Sequence, residues 1–77
     1  MKPFDPAAFA RRIQATMALR GVAVRTAASQ MHLGELTLLR AMAGIEPKAG
    51  AYIAITHWLD AADAALGRII PKPENTP

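Results

Sequence analysis

Apolar side chains recur every fourth residue near the start of the chain, and polar residues stand between them. This spacing predicts an amphipathic helix with one buried stripe. The helix should begin at Asp5 and Pro6, because an aspartate accepts hydrogen bonds from the first free N–H groups and proline tolerates the first helical position. Gly21 is expected to end it. The residues of the stripe are Phe9, Ile13 and Met17.

Two shorter helical patterns follow. The first runs from about Val24 to Met31, and the second begins at Glu35 and ends before Gly44. Between them lie residues 32–34, a histidine, a leucine and a glycine, which interrupt the apolar periodicity. Two short helices joined by so short a connection predict a helix-turn-helix over residues 24–43.

A last apolar pattern predicts a fourth helix over residues 51–59. Asp60 or Asp63 is then expected to cap a short final helical segment, which Gly67 would end. Residues 71–77 include three prolines and no bulky apolar side chain, so they are predicted to form a flexible tail. The apolar face of the fourth helix is predicted to contain Ile55, Trp58 and Leu59.

The composition favours an all-α fold. Of the 40 apolar residues 17 are alanine, the best helix former, whereas valine and the aromatic residues are few. A chain of 77 residues is predicted to form one compact domain of four or five helices over residues 1–70. No apolar stretch approaches the roughly 20 residues that span a bilayer. The first ten residues lack the pattern of a secretory signal, so we expect a cytoplasmic protein without membrane contact.

Positive charge is concentrated in the first two-thirds of the chain. The net charge is +3, and residues 1–50 contain seven basic and three acidic side chains, whereas residues 51–77 contain two basic and three acidic ones. A polyanion would therefore meet the first part of the chain, as expected for a nucleic-acid-binding protein. An ordinary solvated surface can show the same scatter, so charge alone leaves both interpretations open.

The central helices carry a specific order of small, apolar and basic positions. Residues 20–44 resemble the helix-turn-helix of the Cro and phage-repressor family, also called the xenobiotic-response-element type. Trp58 and Leu59 are similar to the aromatic-leucine pair that often ends the fourth helix of that family, so the resemblance covers about residues 9–60. It implies a phage-repressor-like fold and sequence-specific binding to double-stranded DNA. The matching positions are Gly21, Ala28, Met31, Leu33, Thr37, Leu38, Arg40 and Gly44.

Several positions depart from the family pattern. His32 replaces the glycine that is common in the turn, and it can still adopt a left-handed conformation at some strain. Gly34 stands where serine or threonine often caps the third helix, and glycine is a weaker cap. Met17 and Met42 stand where many members have an arginine and a glutamate. We predict that these two methionines are in contact, because replacing both partners of a buried ion pair by apolar groups is often neutral.

Helical geometry separates the third helix into two sides. Leu38, Ala41 and Met42 should face the core, and Thr37 lies near the boundary. The resemblance places the base contacts on the outer side, where Arg40 can donate to guanine, leucine can pack on a thymine methyl group, and Glu35 can accept from cytosine or else repel phosphate. The alternative is that Leu36 and Leu39 are core or dimer residues. The predicted base-contacting residues are Glu35, Leu36, Thr37, Leu39 and Arg40, and the predicted phosphate contacts are Arg25, Gly34 and Lys48.

Enzyme chemistry finds little support. His32 and His57 are 25 residues apart on different elements, and no acidic residues are paired at ligand spacing. No glycine-rich phosphate loop or nucleophile motif is present, and Ser29 has no evident base. The chain contains no cysteine. We therefore expect no catalytic site, metal, cofactor or small-molecule ligand.

The sequence thus predicts a transcriptional regulator, more specifically a nucleoid-associated repressor that binds an inverted-repeat operator as a homodimer. The alternative is a helical protein-interaction module, such as an antitoxin or a phage-derived adaptor, without sequence-specific DNA binding. The predicted dimer surface is formed by Trp58, Leu66, Ile69 and Ile70.

Overall fold

A computed structural model describes the backbone of residues 3–69 and the side chains of residues 3–65. This part of the chain is all-helical, which confirms the predicted fold class. The predicted tail, residues 71–77, lies outside the described residues. The four helices are α1 (Pro6–Arg20), α2 (Val24–Met31), α3 (Glu35–Met42) and α4 (Ala49–Ile69).

The start of α1 follows directly from its sequence. The Asp5 carboxylate accepts hydrogen bonds from the backbone N–H groups of Ala7 at 3.0 Å and Ala8 at 3.2 Å. Pro6 occupies the first helical position, where a missing N–H group costs nothing. The predicted cap is therefore confirmed, and it fixes the point at which the chain enters the domain.

The first three helices end in the same way. A residue with positive φ follows α1 and α2 directly and follows α3 after Ala43, and in each case the next N–H group returns to a carbonyl oxygen five positions back, as in a Schellman motif. His32 has φ 59° and is the one non-glycine residue with positive φ in the described part of the chain. The turn predicted at His32 is therefore formed. The left-handed conformation costs energy at His32, because its Cβ atom lies close to the following carbonyl oxygen. The other two left-handed residues are Gly21 and Gly44.

The core lies where the four helices meet. Its largest fully buried side chains come from three different helices, which ties them into one body. Met17 is buried in this core, and Met42 is half-buried against it. The two methionines therefore share one apolar cluster, as the prediction requires, while their direct contact stays a prediction. The largest buried side chains are Ile13, Leu38, Ile55 and Leu59.

The predicted division of the last helix is wrong. α4 is one continuous helix of 21 residues, and neither Asp60 nor Asp63 begins a new segment, nor does Gly67 end one. The two carboxylates instead accept hydrogen bonds from Nη2 of Arg12, at 3.3 Å and 2.8 Å. Although α4 is long, none of the described helices is both long and apolar enough to cross a membrane.

The assignment of Trp58 to a dimer surface is corrected by its burial. Trp58 is only 7% exposed and belongs to the core of its own chain. Its Nε1–H donates to Oε1 of Gln30 at 2.8 Å, and the Arg20 guanidinium lies 4.9 Å from the ring centroid. Little of the ring is left for a second copy. The side chains of the other predicted dimer residues, Leu66, Ile69 and Ile70, lie outside the described residues.

Candidate nucleic-acid interface

The inner side of α3 is fixed by packing. Eight residues are too few to form a stable helix alone, so α3 depends on the helices around it. Leu38 and Ala41 are buried against the core, as predicted. At the end of the helix, Nε2 of Gln14 donates to the backbone carbonyl of Met42 at 2.7 Å. This contact from α1, which the sequence did not reveal, satisfies one of the carbonyl groups that a helix end leaves free.

The outer side of α3 is open to solvent. Leu36 is 58% exposed and Leu39 is 46% exposed, so the alternative that they are core residues is wrong. Thr37 is half-buried at the boundary, as expected. The structure therefore brings four of the five predicted base-contacting residues onto one accessible side of the helix and leaves Thr37 at its edge. The exposed residues of this outer face are Glu35, Leu36, Leu39, Arg40 and Ala43.

The beginning of α3 is also accessible. Gly34 is the N-cap, and no side chain caps the helix there. A Cβ atom added to Gly34 would meet no atom within 4 Å, so the backbone at this point faces open space. The first N–H groups of a helix carry partial positive charge and favour an anion. This arrangement fits the predicted phosphate contact at Gly34.

A groove of about 600 Å³ runs beside α3, between this helix and the first turn of α4. We call it the α3–α4 groove. Its walls include Arg40 from α3 and Lys48 from the following loop, together with the carboxylate of Glu46. Gly50, in the first turn of α4, also lines it. A residue predicted to contact bases and a residue predicted to contact phosphate thus border one depression.

Arg25 and Glu35 form an ion pair that sequence reasoning missed. Nε of Arg25 donates to Oε1 of Glu35 at 3.1 Å, which connects the first turn of α2 with the first turn of α3. The side chain of Arg25 is 88% exposed, so the pair contributes little stability and can exchange partners. In this structure the Arg25 guanidinium offsets the negative charge of Glu35 at the start of α3.

No family model matches this sequence, and comparisons with curated proteins and with solved structures give no match either. The resemblance of residues 20–44 to the phage-repressor family therefore stays a prediction, as does the helix-turn-helix itself. The function has to be argued from the outer face of α3 and the groove beside it.

Two other features lie away from α3. The rings of Phe4, Phe9 and Tyr52 form an aromatic cluster, with centroids 5.2 to 5.4 Å apart, which packs the segment before α1 against α4. His32 and His57 line one shallow depression next to Trp58, despite their separation in sequence. Within the described residues, no group of three or more histidine, aspartate or glutamate side chains could hold a metal ion.

Proposed function

We propose that this protein binds double-stranded DNA in a sequence-dependent manner, with the outer face of α3 in the major groove, and that it regulates transcription. The observation that carries this proposal is the exposed combination of Leu36, Leu39 and Arg40 on one helix whose opposite side is buried. These side chains form one apolar and cationic patch, and the guanidinium of Arg40 has no hydrogen-bond partner among the described residues.

The dimensions of α3 suit this role. The major groove of B-DNA is about 12 Å wide and admits one α-helix, whose diameter with side chains is about 10 to 12 Å. α3 is short and is held from behind by α1 and α2. Its outer side can therefore enter a groove while the other helices remain beside the phosphate backbone.

The charge distribution supports the same orientation. Arg25 and Lys48 are exposed near opposite ends of α3, where they can neutralise phosphates without reading sequence. Asp60 lies about 15 Å from the α3–α4 groove along the axis of α4, at a rise of about 1.5 Å per residue, and Asp63 lies further along. Both are paired with Arg12. These two carboxylates are therefore hydrogen-bonded within the chain, away from the α3–α4 groove, whereas Glu35 and Glu46 lie at the proposed interface.

Regulation would follow from occupation of an operator, which excludes the transcription machinery and places the protein on the nucleoid. One helix of eight residues reads few base pairs, so useful affinity favours a homodimer on an inverted repeat. Light scattering in the presence and absence of operator DNA tests the dimer. A monomer under both conditions would remove it.

Salt dependence tests DNA binding itself. Binding to a pool of random duplexes should be measured by fluorescence anisotropy as the salt concentration rises. Two phosphate contacts predict about a tenfold loss of affinity between about 50 and 200 mM salt for one bound domain, and the four contacts of a dimer predict about a hundredfold loss. Selection from the same pool should enrich a preferred sequence. No binding to any duplex at low salt would refute the proposal.

A protein-interaction module is the second candidate, and the exposed leucines are the observation that favours it. An apolar contact with a partner protein would change little with salt, because burial of hydrocarbon does not release counterions. Binding of a protein partner that depends on Leu36, with no salt-sensitive affinity for DNA, would select this alternative.

A further inference from the structure

We infer that α3 selects DNA through the C5 methyl groups of thymine, with Leu36 and Leu39 as the specificity-determining residues and a guanine bound by Arg40 beside them. This inference rests on the proposed function and names the sequence class that it would recognise. The juxtaposition of two exposed leucines and one guanidinium on the outer face of α3 carries it.

The spacing of the two leucines fits neighbouring base pairs. Residues three apart lie on the same side of a helix, with Cβ atoms about 5 to 6 Å from each other. Leu36 and Leu39 are separated by about 4.5 Å along the helix axis, at about 1.5 Å per residue, and base pairs are stacked about 3.4 Å apart. Both side chains can therefore meet methyl groups on adjacent or nearly adjacent pairs.

The chemistry of the major groove singles out one base. Each pair presents hydrogen-bonding groups there, and only thymine adds an apolar group, its C5 methyl. Leucine can neither donate nor accept a hydrogen bond, so against cytosine it would leave the N4 amino group without a partner. Burial of a polar group without a partner is unfavourable. The leucines therefore favour thymine both by contact and by exclusion.

The neighbouring charged groups narrow the preference further. Glu35 accepts from Arg25 through Oε1, and because this pair is exposed and can exchange partners, Glu35 could add a contact with cytosine N4. Arg40 follows Leu39 directly and borders the α3–α4 groove. It is the residue of this face that can donate two hydrogen bonds to guanine O6 and N7. The expected target thus combines thymines with a guanine.

Uracil provides a matched probe, because it differs from thymine only in lacking the C5 methyl group. The duplex enriched from the random pool should be compared with the same duplex carrying uracil in place of thymine. Burial of one methyl group corresponds to about a fourfold change in affinity, so two contacted methyls predict a loss of about tenfold or more. Salt concentration is held constant throughout.

Three variants test which side chains are responsible for the discrimination between the thymine and uracil duplexes. Leu36→Ala and Leu39→Ala should each bind the thymine duplex more weakly and lose part of the discrimination against uracil. Leu19→Ala is the control, since Leu19 is 71% exposed but lies on α1. It should retain the full discrimination. All three side chains are exposed, so the melting temperatures, measured by circular dichroism, should change little.

The outcomes separate this inference from the proposed function. Equal affinity for the thymine and uracil duplexes, with steep salt dependence, would overturn methyl recognition and leave DNA binding intact. Discrimination that survives in both Leu36→Ala and Leu39→Ala would also overturn it. Absence of salt-sensitive binding to any duplex would overturn both. A uracil penalty that disappears in the α3 variants and persists in Leu19→Ala is the expected result.

Discussion

Two exposed regions of this protein use their side chains in opposite ways. In the first, which we call the α1–α4 junction, Arg12 hydrogen-bonds to Asp60 and Asp63, so its charged groups are partnered within the chain. On the outer face of α3, two leucines are exposed, and the side chain of Arg40 has no hydrogen bond to any described residue. The charged side chains of the first region are hydrogen-bonded within the chain, whereas the side chains of the second region are free to contact another molecule.

The difference separates stability from binding. Substitutions at the α1–α4 junction or in the core beneath it should change the free energy of unfolding and leave the intrinsic affinity for DNA unchanged. Substitutions on the outer face of α3 should lower the affinity for DNA and leave the free energy of unfolding nearly unchanged.

Met17→Arg should have the largest effect on stability. Met17 is 7% exposed, and an arginine there would be buried without a partner, which costs about 3 kcal/mol or more. The melting temperature should fall by more than about 10 °C. The double variant Met17→Arg/Met42→Glu should recover part of the loss if the two side chains meet. An unchanged melting temperature in the single variant would count against the predicted pairing.

Arg40→Ala should remove most of the sequence preference. A bidentate contact with guanine contributes about 1 to 3 kcal/mol, so the preferred duplex should be bound roughly 5- to 150-fold more weakly. The melting temperature should not change, because Arg40 is exposed. Arg11→Ala, at an exposed position of α1, is the charge-matched control. Equal losses of affinity in the two variants would mean that Arg40 contributes only charge.

Gln30→Ala should destabilise the fold by about 1 to 2 kcal/mol, because Nε1 of the nearly buried Trp58 loses its acceptor. Chemical denaturation measures the change, and Ser29→Ala, at the neighbouring exposed position, is the control. DNA affinity below the melting transition should stay the same. A loss of affinity in a fully folded Gln30→Ala protein would contradict the separation of the two regions.

Arg12→Ala should cost no more than about 1 kcal/mol, because Arg12 and its two partners are substantially exposed. The hydrogen bond that Arg12 donates to the Asp63 carboxylate raises the pKa of Arg12 above its ordinary value. A raised folded-state pKa means that this contribution is fully present below the unfolded-state pKa and is lost only as the pH rises through the folded value. The effect of Arg12→Ala, measured by denaturation, should therefore be the same at about pH 6 and about pH 9. A larger effect at the lower pH would contradict this assignment.

The parts of the fold that were predicted correctly depend on neighbouring residues. Asp5 caps α1 through N–H groups two and three residues away, and Gly21 ends it through the adjacent turn. The bounds of α2 and the start of α3 follow from the interruption at residues 32–34. The two sides of α3 follow from helical geometry, because eight residues leave little room for a shift in register.

The parts that were missed depend on distant residues. Asp60 and Asp63 look like helix caps in sequence, but their partner Arg12 lies 48 and 51 residues earlier. Trp58 is predicted from sequence at a dimer surface, but its N–H group donates to Gln30, 28 residues away, within the same chain. A linear pattern shows which groups need a partner. It does not show which of them find one inside the chain.

Mapping of a duplex onto the protein by NMR tests the contrast between the two regions most directly. The 15N-labelled protein should be titrated with its enriched duplex, and the amide shifts of each residue followed. We predict that the perturbed amides cluster in Glu35–Arg40 and around Lys48, while those of Asp60 and Asp63 stay in place. Perturbation centred on Arg12, Asp60 and Asp63, with α3 unaffected, would contradict DNA binding by the outer face of α3.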